Sequence, residues 1–231
     1  MTLIDVLRET IALTDAEAAS ACTALQRQLT ELGHMWGLDV SVQIIPPGQM
    51  TRAGAMRILL QDHSAEADAL GYHTDDGFPQ SYVAVADARA DGSNWTVTLS
   101  HEAWEMAVDP TIDRTVQYTD AAGITWEAPV EACDCCEDDQ FAVGYQGNDH
   151  DVIVLTAIAL PSWFDPAGVA PFTEPPIPAI DAPFRLAEGG YIGRREIAPH
   201  VTDWQQVFAQ GARTGRQRKG PRSRTARRFT A

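Results

Sequence analysis

Apolar positions along the 231-residue chain change period several times, and each change marks an element. Cys22, Leu25, Leu29 and Leu32 recur at helical spacing. Thr14 and Glu17 ahead of them have capping-box spacing and Gly33 offers a stop, which predicts an N-terminal helix. Val40, Val42 and Ile44 alternate with polar residues, as in a half-buried strand closed by Pro46-Pro47-Gly48. Met56 to Leu60 is a second strand. Ala69-Leu70-Gly71-Tyr72-His73 and Tyr82-Val83-Ala84-Val85 predict a strand pair around the turn-rich Asp75-Asp76-Gly77-Phe78-Pro79. Helical period returns near Asn94 or Trp95 and stops before Pro110. Thr115 to Tyr118 and Ile124 to Trp126 pair across Ala121-Ala122-Gly123, and Val152 to Leu160 is a continuous apolar run, the mark of a buried strand. The aromatic loop Pro161 to Pro166 follows.

From Ala167 to Pro183 the chain is proline-rich and almost aperiodic, which predicts an irregular surface segment. Phe184 to Ile197 returns as a hairpin or short strand with Gly189-Gly190 at a turn. Helix, strands, then a second helix make an α+β fold with a mixed, mostly contiguous sheet. The expected organisation is one domain over 1–166, an irregular segment and return over 167–210, and a tail over 211–231. No internal repeat is visible.

Charge sharpens the last boundary. The net charge of -15 hides a polarity, because residues 211–231 carry eight Arg or Lys and no acid. The remainder holds 9 basic against 32 acidic residues. An acidic body repels nucleic acid, whereas a basic, apolar-poor tail is expected to be disordered alone and suited to DNA or an acidic protein neighbour. No apolar run approaches the ~20 residues that span a bilayer, and MTLIDVLRET lacks the basic and apolar regions of a secretory signal. These features predict no membrane partner and synthesis in a cytoplasm. The four cysteines are Cys22, Cys133, Cys135 and Cys136. Three of them are too close together for a disulfide framework, so a reducing compartment is expected.

The second helix carries the candidate chemistry. Ser100-His101-Glu102-Ala103-Trp104-Glu105-Met106-Ala107-Val108-Asp109-Pro110 packs one histidine and three carboxylates into nine residues. His101 and Glu105 are four apart, so a helix presents both on one face, ready to bind one metal ion. Glu102 points about 100° away, placed to act as a base. The competing reading is a solvated acidic face. Asp109 lies about 12 Å along the axis from His101, too far to share its ion, so it is expected to anchor the turn before Pro110 or to support a ligand. A third ligand must come from downstream, where Glu131, Asp134, Glu137, Asp138 and Asp139 crowd together. Asp134 or Glu131 is favoured, with Glu137 behind them. A zinc knuckle on Cys133, Cys135 and Cys136 lacks a second cysteine pair; the alternative places Cys133 and Cys136 in the core of a short helix. One histidine and two carboxylates suit zinc, and also manganese, iron or calcium. His73 and Tyr72 sit on a strand that could line a cleft, as substrate or supporting residues.

The His-Glu-x-x-Glu pattern of His101, Glu102 and Glu105 resembles the active-site helix of zincin-type metallopeptidases, with Glu105 where a second histidine is usual. Further motifs are Ala24-Leu25-Gln26-Arg27-Gln28 with Trp36-Gly37; Ala69 to His73; Val97-Thr98-Leu99-Ser100-His101-Glu102 through Asp109-Pro110; Glu131-Ala132-Cys133-Asp134; Pro161-Ser162-Trp163-Phe164-Asp165; and Gly189-Gly190-Tyr191. Together they resemble a zincin-like family found largely in phages and prophages. The resemblance implies a zincin-like fold, metal ligation by His101 and Glu105, and Glu102 as the base. The expectation is a metal-dependent hydrolase, a peptidase acting on a virion protein or a host-wall peptide. The rival is a structural virion protein that keeps the fold without turnover and docks to other virion proteins or DNA through 211–231. Host cytoplasm, with incorporation into a virion, is the matching location. The acidic body and the lack of helix-turn-helix or finger spacing argue against a sequence-specific DNA reader.

Overall fold

A computed structural model of the chain describes residues 1–66, 69–74 and 77–209. The basic tail, and Asp75 and Asp76 of the predicted turn, lie outside the described residues. The fold is mixed α+β, with several sheets and three α-helices among the described residues. No helix is long and apolar enough to cross a membrane among those residues.

The chain begins with a strand the periodicity did not predict, β1 (Thr2–Arg8). It is followed by α1 (Asp15–Leu32), β2 (Val40–Ile45), β3 (Met56–Gln61), β4 (Gly71–Thr74), β5 (Gln80–Ala84), α2 (Val85–Asp91) and α3 (Trp95–Val108). The order is therefore strand, helix, strands, helices, and the principal sheet runs β2-β1-β3-β5-β4. β1 pairs in parallel with both β2 and β3, β3 pairs in parallel with β5, and β4 closes the edge antiparallel to β5. A strand with parallel neighbours on both sides and covered faces reads as an apolar run rather than an alternation, and Leu3, Ile4, Val6 and Leu7 are such a run. Its one interruption, Asp5, is fully buried and held by the backbone N–H and guanidinium of Arg52.

α1 starts on the predicted capping box, with the Thr14 hydroxyl accepting from the Glu17 N–H and the Glu17 carboxylate accepting from Thr14. It ends at Leu32, but the left-handed stop is Gly37 (φ 67°) after one 3₁₀ turn, not Gly33. Gln28, fully buried in α1, donates to the Thr156 carbonyl and accepts from the Trp104 indole N–H. That one side chain ties α1 to α3.

Beyond α3, β6 (Thr115–Thr119) and β7 (Thr125–Pro129) form the expected hairpin. A second hairpin, β8 (Val143–Gln146) and β9 (Val152–Leu155), precedes the short β10 (Ile158–Ala159). The apolar run Val152 to Leu160 is thus two strands in different sheets. It breaks at Thr156, whose N–H donates to the Ser100 hydroxyl and whose carbonyl accepts from Gln28. Side chains from α3 and α1 take the hydrogen bonds a ladder would have used.

The proline-rich segment is irregular, but it does not lie wholly on the surface. Phe172, Ile177 and Ile180 are buried in the common core, and β11 (Thr173–Glu174) pairs with β10. The chain returns through β12 (Tyr191–Glu196), which pairs with β7 and with β13 (Gln205–Phe208), a strand not predicted.

Candidate metal centre

α3 is almost wholly enclosed. Every residue from Thr96 to Val108 is buried, including His101, Glu102 and Glu105. A solvated acidic face is thereby contradicted. Burying ionised carboxylates is costly unless they are paired, hydrogen-bonded or bound to a metal, so the polar side of α3 needs a counterpart.

The segment after β7 supplies it. The N–H of Val130 donates to the Arg114 carbonyl, and the N–H of Ala159 donates to the Ala132 carbonyl. A 3₁₀ turn over Asp134–Cys136 then presses against α3, with the Cys133 thiol 3.8 Å from the His101 carbonyl. This pinning brings the Asp134 carboxylate to the motif helix. His101 Nε2 lies 3.1 Å from Glu105 Oε1 and 3.4 Å from Asp134 Oδ1. Donors 2.0–2.2 Å from one ion at tetrahedral angles are about 3.3 Å apart, so these separations fit ligands around a common cation. Charge-assisted hydrogen bonds sit closer, roughly 2.7–2.9 Å.

Around that trio the donors form overlapping sets whose ligand atoms lie within 4.8 Å of one another. The sets are His101 with Glu105 and Cys133; His101 with Asp134 and Glu137; Glu105 with Glu131 and Asp134; and His73 with Glu102 and Glu105. The sequence-derived candidates His101, Glu102, Glu105, Glu131, Asp134 and Glu137 are thus gathered in one place, together with His73. Two candidates fall elsewhere. The Asp109 carboxylate accepts from the N–H groups of Asp113 and Arg114, anchoring the turn after α3. Tyr72 stacks on Tyr82 with centroids 4.7 Å apart. It is one residue out of phase with Gly71 and His73, and successive strand residues face opposite sides.

β4 reaches α3 because Gly71 has no side chain. A Cβ there would stand 2.5 Å from Thr98 Cγ2 and 2.7 Å from Glu102 Oε1. His73, two residues on, is fully buried with Nδ1 3.3 Å from Glu102 Oε2. A small pocket lined by Leu70, Gly71, Val97, Thr98, His101, Glu102 and Glu137 opens beside these groups.

Two contributors stand outside the ligand set expected from the sequence, although Tyr191 follows the noted Gly189-Gly190 and Cys133 belongs to the noted cysteine cluster. The Tyr191 hydroxyl donates to Asp134 Oδ1 at 2.6 Å. Burial raises its pKa well above the ordinary 10.0, and the nearby carboxylates of Asp134, Glu137 and Glu105 push the same way, so the phenol stays a donor. It is held there by the Gly189-Gly190 turn, where the N–H of Ala187 donates to the Cys135 carbonyl and a Cβ on Gly190 would collide with that oxygen. Cys133 is the other, its thiol within ligand range of His101 and Glu105. Cys135, as fully buried as Cys133, is in none of those donor sets, and burial raises its thiol pKa well above 9.0. All four cysteines are free and buried, and the three neighbours are not gathered as a zinc knuckle among the described donor sets.

Comparison of the chain with models of protein families, with curated proteins and with solved structures gave no match.

Proposed function

We propose that this chain is a zincin-like, metal-dependent hydrolase that cleaves amide bonds of a protein or peptide substrate. The observation that carries the reading is the buried convergence of His101 Nε2 with the Glu105 and Asp134 carboxylates, at 3.1 and 3.4 Å. One imidazole and two carboxylates suit zinc, and manganese or iron by the same donor chemistry. A divalent ion held there supplies Lewis acidity towards a carbonyl oxygen and makes water a nucleophile near neutral pH. The chain's own residues divide the remaining work. His101, Glu105 and Asp134 are the holding groups, and the Tyr191 hydroxyl keeps Asp134 turned towards them. Glu102, at the pocket wall, accepts the proton from water and returns it to the departing amine. β4, the edge strand beside α3, gives an extended peptide a ladder to join.

The test is cleavage of an unfolded protein substrate by the zinc-loaded and manganese-loaded chain, with Glu102→Gln as the control. The expected result is cleavage that a chelator abolishes and that falls by about 10²–10⁴-fold in the variant, the usual contribution of a positioned base. No cleavage by either form rejects the enzyme reading.

A second reading rests on the charge polarity of the sequence. A structural component of a phage particle would use the eight basic residues of 211–231 to grip packaged DNA or an acidic neighbour, with the buried cluster as scaffold. Such binding weakens steeply with salt and ignores sequence. Deleting 211–231 without changing DNA binding or particle assembly would reject it.

A further inference from the structure

We propose that the buried cluster takes a second divalent cation, held by His73, Glu102 and Glu105, beside the one assigned to His101, Glu105 and Asp134. The inference rests on that metal reading and extends it to the other side of α3's polar face. His73, Glu102 and Glu105 offer ligand atoms within 4.8 Å of one another, and all three residues are buried. The His73–Glu102 separation is 3.3 Å, the spacing found between His101 and its carboxylates. On the same chain a plain imidazole–carboxylate pair, His63 with Asp87, closes to 2.7 Å.

Glu105 belongs to both donor sets. A carboxylate has two oxygens, so a single side chain between two sets can bridge two ions. Charge points the same way. Glu102, Glu105, Glu131, Asp134 and Glu137 all contribute to the converging sets. One dication balances two of these carboxylates and a second balances two more, which relieves like-charge repulsion at a site with little water to screen it. Gly71 explains how the second set forms, since any larger residue would hold β4, and with it His73, away from Glu102. Of the two Glu102 oxygens, Oε2 faces His73, which leaves Oε1 for the proton transfer assigned to this residue.

The experiment loads the full wild-type chain with manganese, removes the excess, and reads metal content by elemental mass spectrometry and coupling by low-temperature electron paramagnetic resonance. Ions sharing a carboxylate lie roughly 3.5–4 Å apart in known two-metal sites and give an exchange-coupled signal. The expected result is about two manganese ions per chain with that signal, falling to about one uncoupled ion in His73→Gln. One uncoupled ion in wild type overturns the second site and leaves the first standing. No retained ion overturns both. The wild-type spectrum needs no variant to fold, and Glu102→Gln, which removes the partner of His73, is expected to repeat the loss. Retention of two coupled ions in both variants also overturns the assignment.

Discussion

His63 and His101 each face carboxylates, and the contrast between them separates a surface ion pair from a binding site. His63 Nδ1 meets Asp87 at 2.7 Å with its side chain 77 % exposed. Asp87 raises the imidazole pKa above the ordinary 6.5, through the hydrogen bond first and charge second. That is two groups satisfying each other in water. His101 meets two carboxylates at longer range, 3.1 and 3.4 Å, with 4 % exposure. A buried imidazole between two carboxylates at these separations is the arrangement that the proposed function assigns to a cation. The comparison turns on spacing: the exposed pair closes to 2.7 Å, whereas the buried donors stand at separations that ligands of one cation would also take.

The sharpest way to break this comparison is to compare the chain with and without added zinc. Chelation should leave the buried carboxylates facing one another, so the apo chain should melt lower. Saturating zinc at about 1,000 times Kd stabilises by about 4 kcal/mol. The shift in Tm should vanish in His101→Ala and persist unchanged in His63→Ala. Equal shifts in both variants would erase the distinction between the two histidines.

Next in size is Gly71→Ala. Its Cβ meets Thr98 and Glu102 on a packed helix face, so a cost of about 1–3 kcal/mol is expected from overpacking, read by denaturant unfolding. Wild-type stability in this variant would mean that β4 is not pressed against the site as described. Tyr191→Phe is subtler. It removes the hydrogen bond to Asp134 while keeping the ring, and loss of such a supporting partner lowers metal affinity by roughly 10–100-fold. A competitive zinc titration checks it, and unchanged affinity would remove Tyr191 from the site.

The smallest effect belongs to the surface pair. Because the folded-state pKa of His63 is raised, its stabilising contribution is fully present below the ordinary 6.5 and fades as pH rises through the raised value. Nuclear magnetic resonance titration should place His63 above 6.5, and Asp87→Asn should return it towards 6.5 without altering metal content. Cys22 gives an alkaline counterpart. Burial raises its thiol to about 12 from 9.0, so stability is full below 9.0 and declines as pH climbs from there towards 12. Thiol-reactive reagents at pH 8 should reach it only on unfolding.

How much of this was legible in the sequence follows from the range of each interaction. The helix carrying His101 and Glu105 was legible because i,i+4 spacing is local, and so was the hairpin of β6 and β7. The approach of Asp134 and Glu131 could be anticipated because acids crowd a short segment that must fold back. β1 could not be read from alternation, since both its faces are covered and its partners lie 38 and 52 residues away, from Val40 and Met56 onward. Tyr191 joins Asp134 across 57 residues, and only the preceding Gly189-Gly190 hints at a backbone that comes unusually close to another. Thr156 splits an apolar run because Gln28 and Ser100 claim its backbone, a tertiary decision that hydrophobicity alone does not record.

The central claim is that His101, Glu105 and Asp134 form a metal site, and its most direct test is the metal content of the purified chain. Elemental mass spectrometry would be run on wild type and on the folded His101→Ala, Glu105→Ala double variant, each offered zinc and manganese and then desalted. The account predicts stoichiometric metal in wild type and its loss in the double variant. Wild type that retains no metal, or a double variant that retains as much, would contradict it.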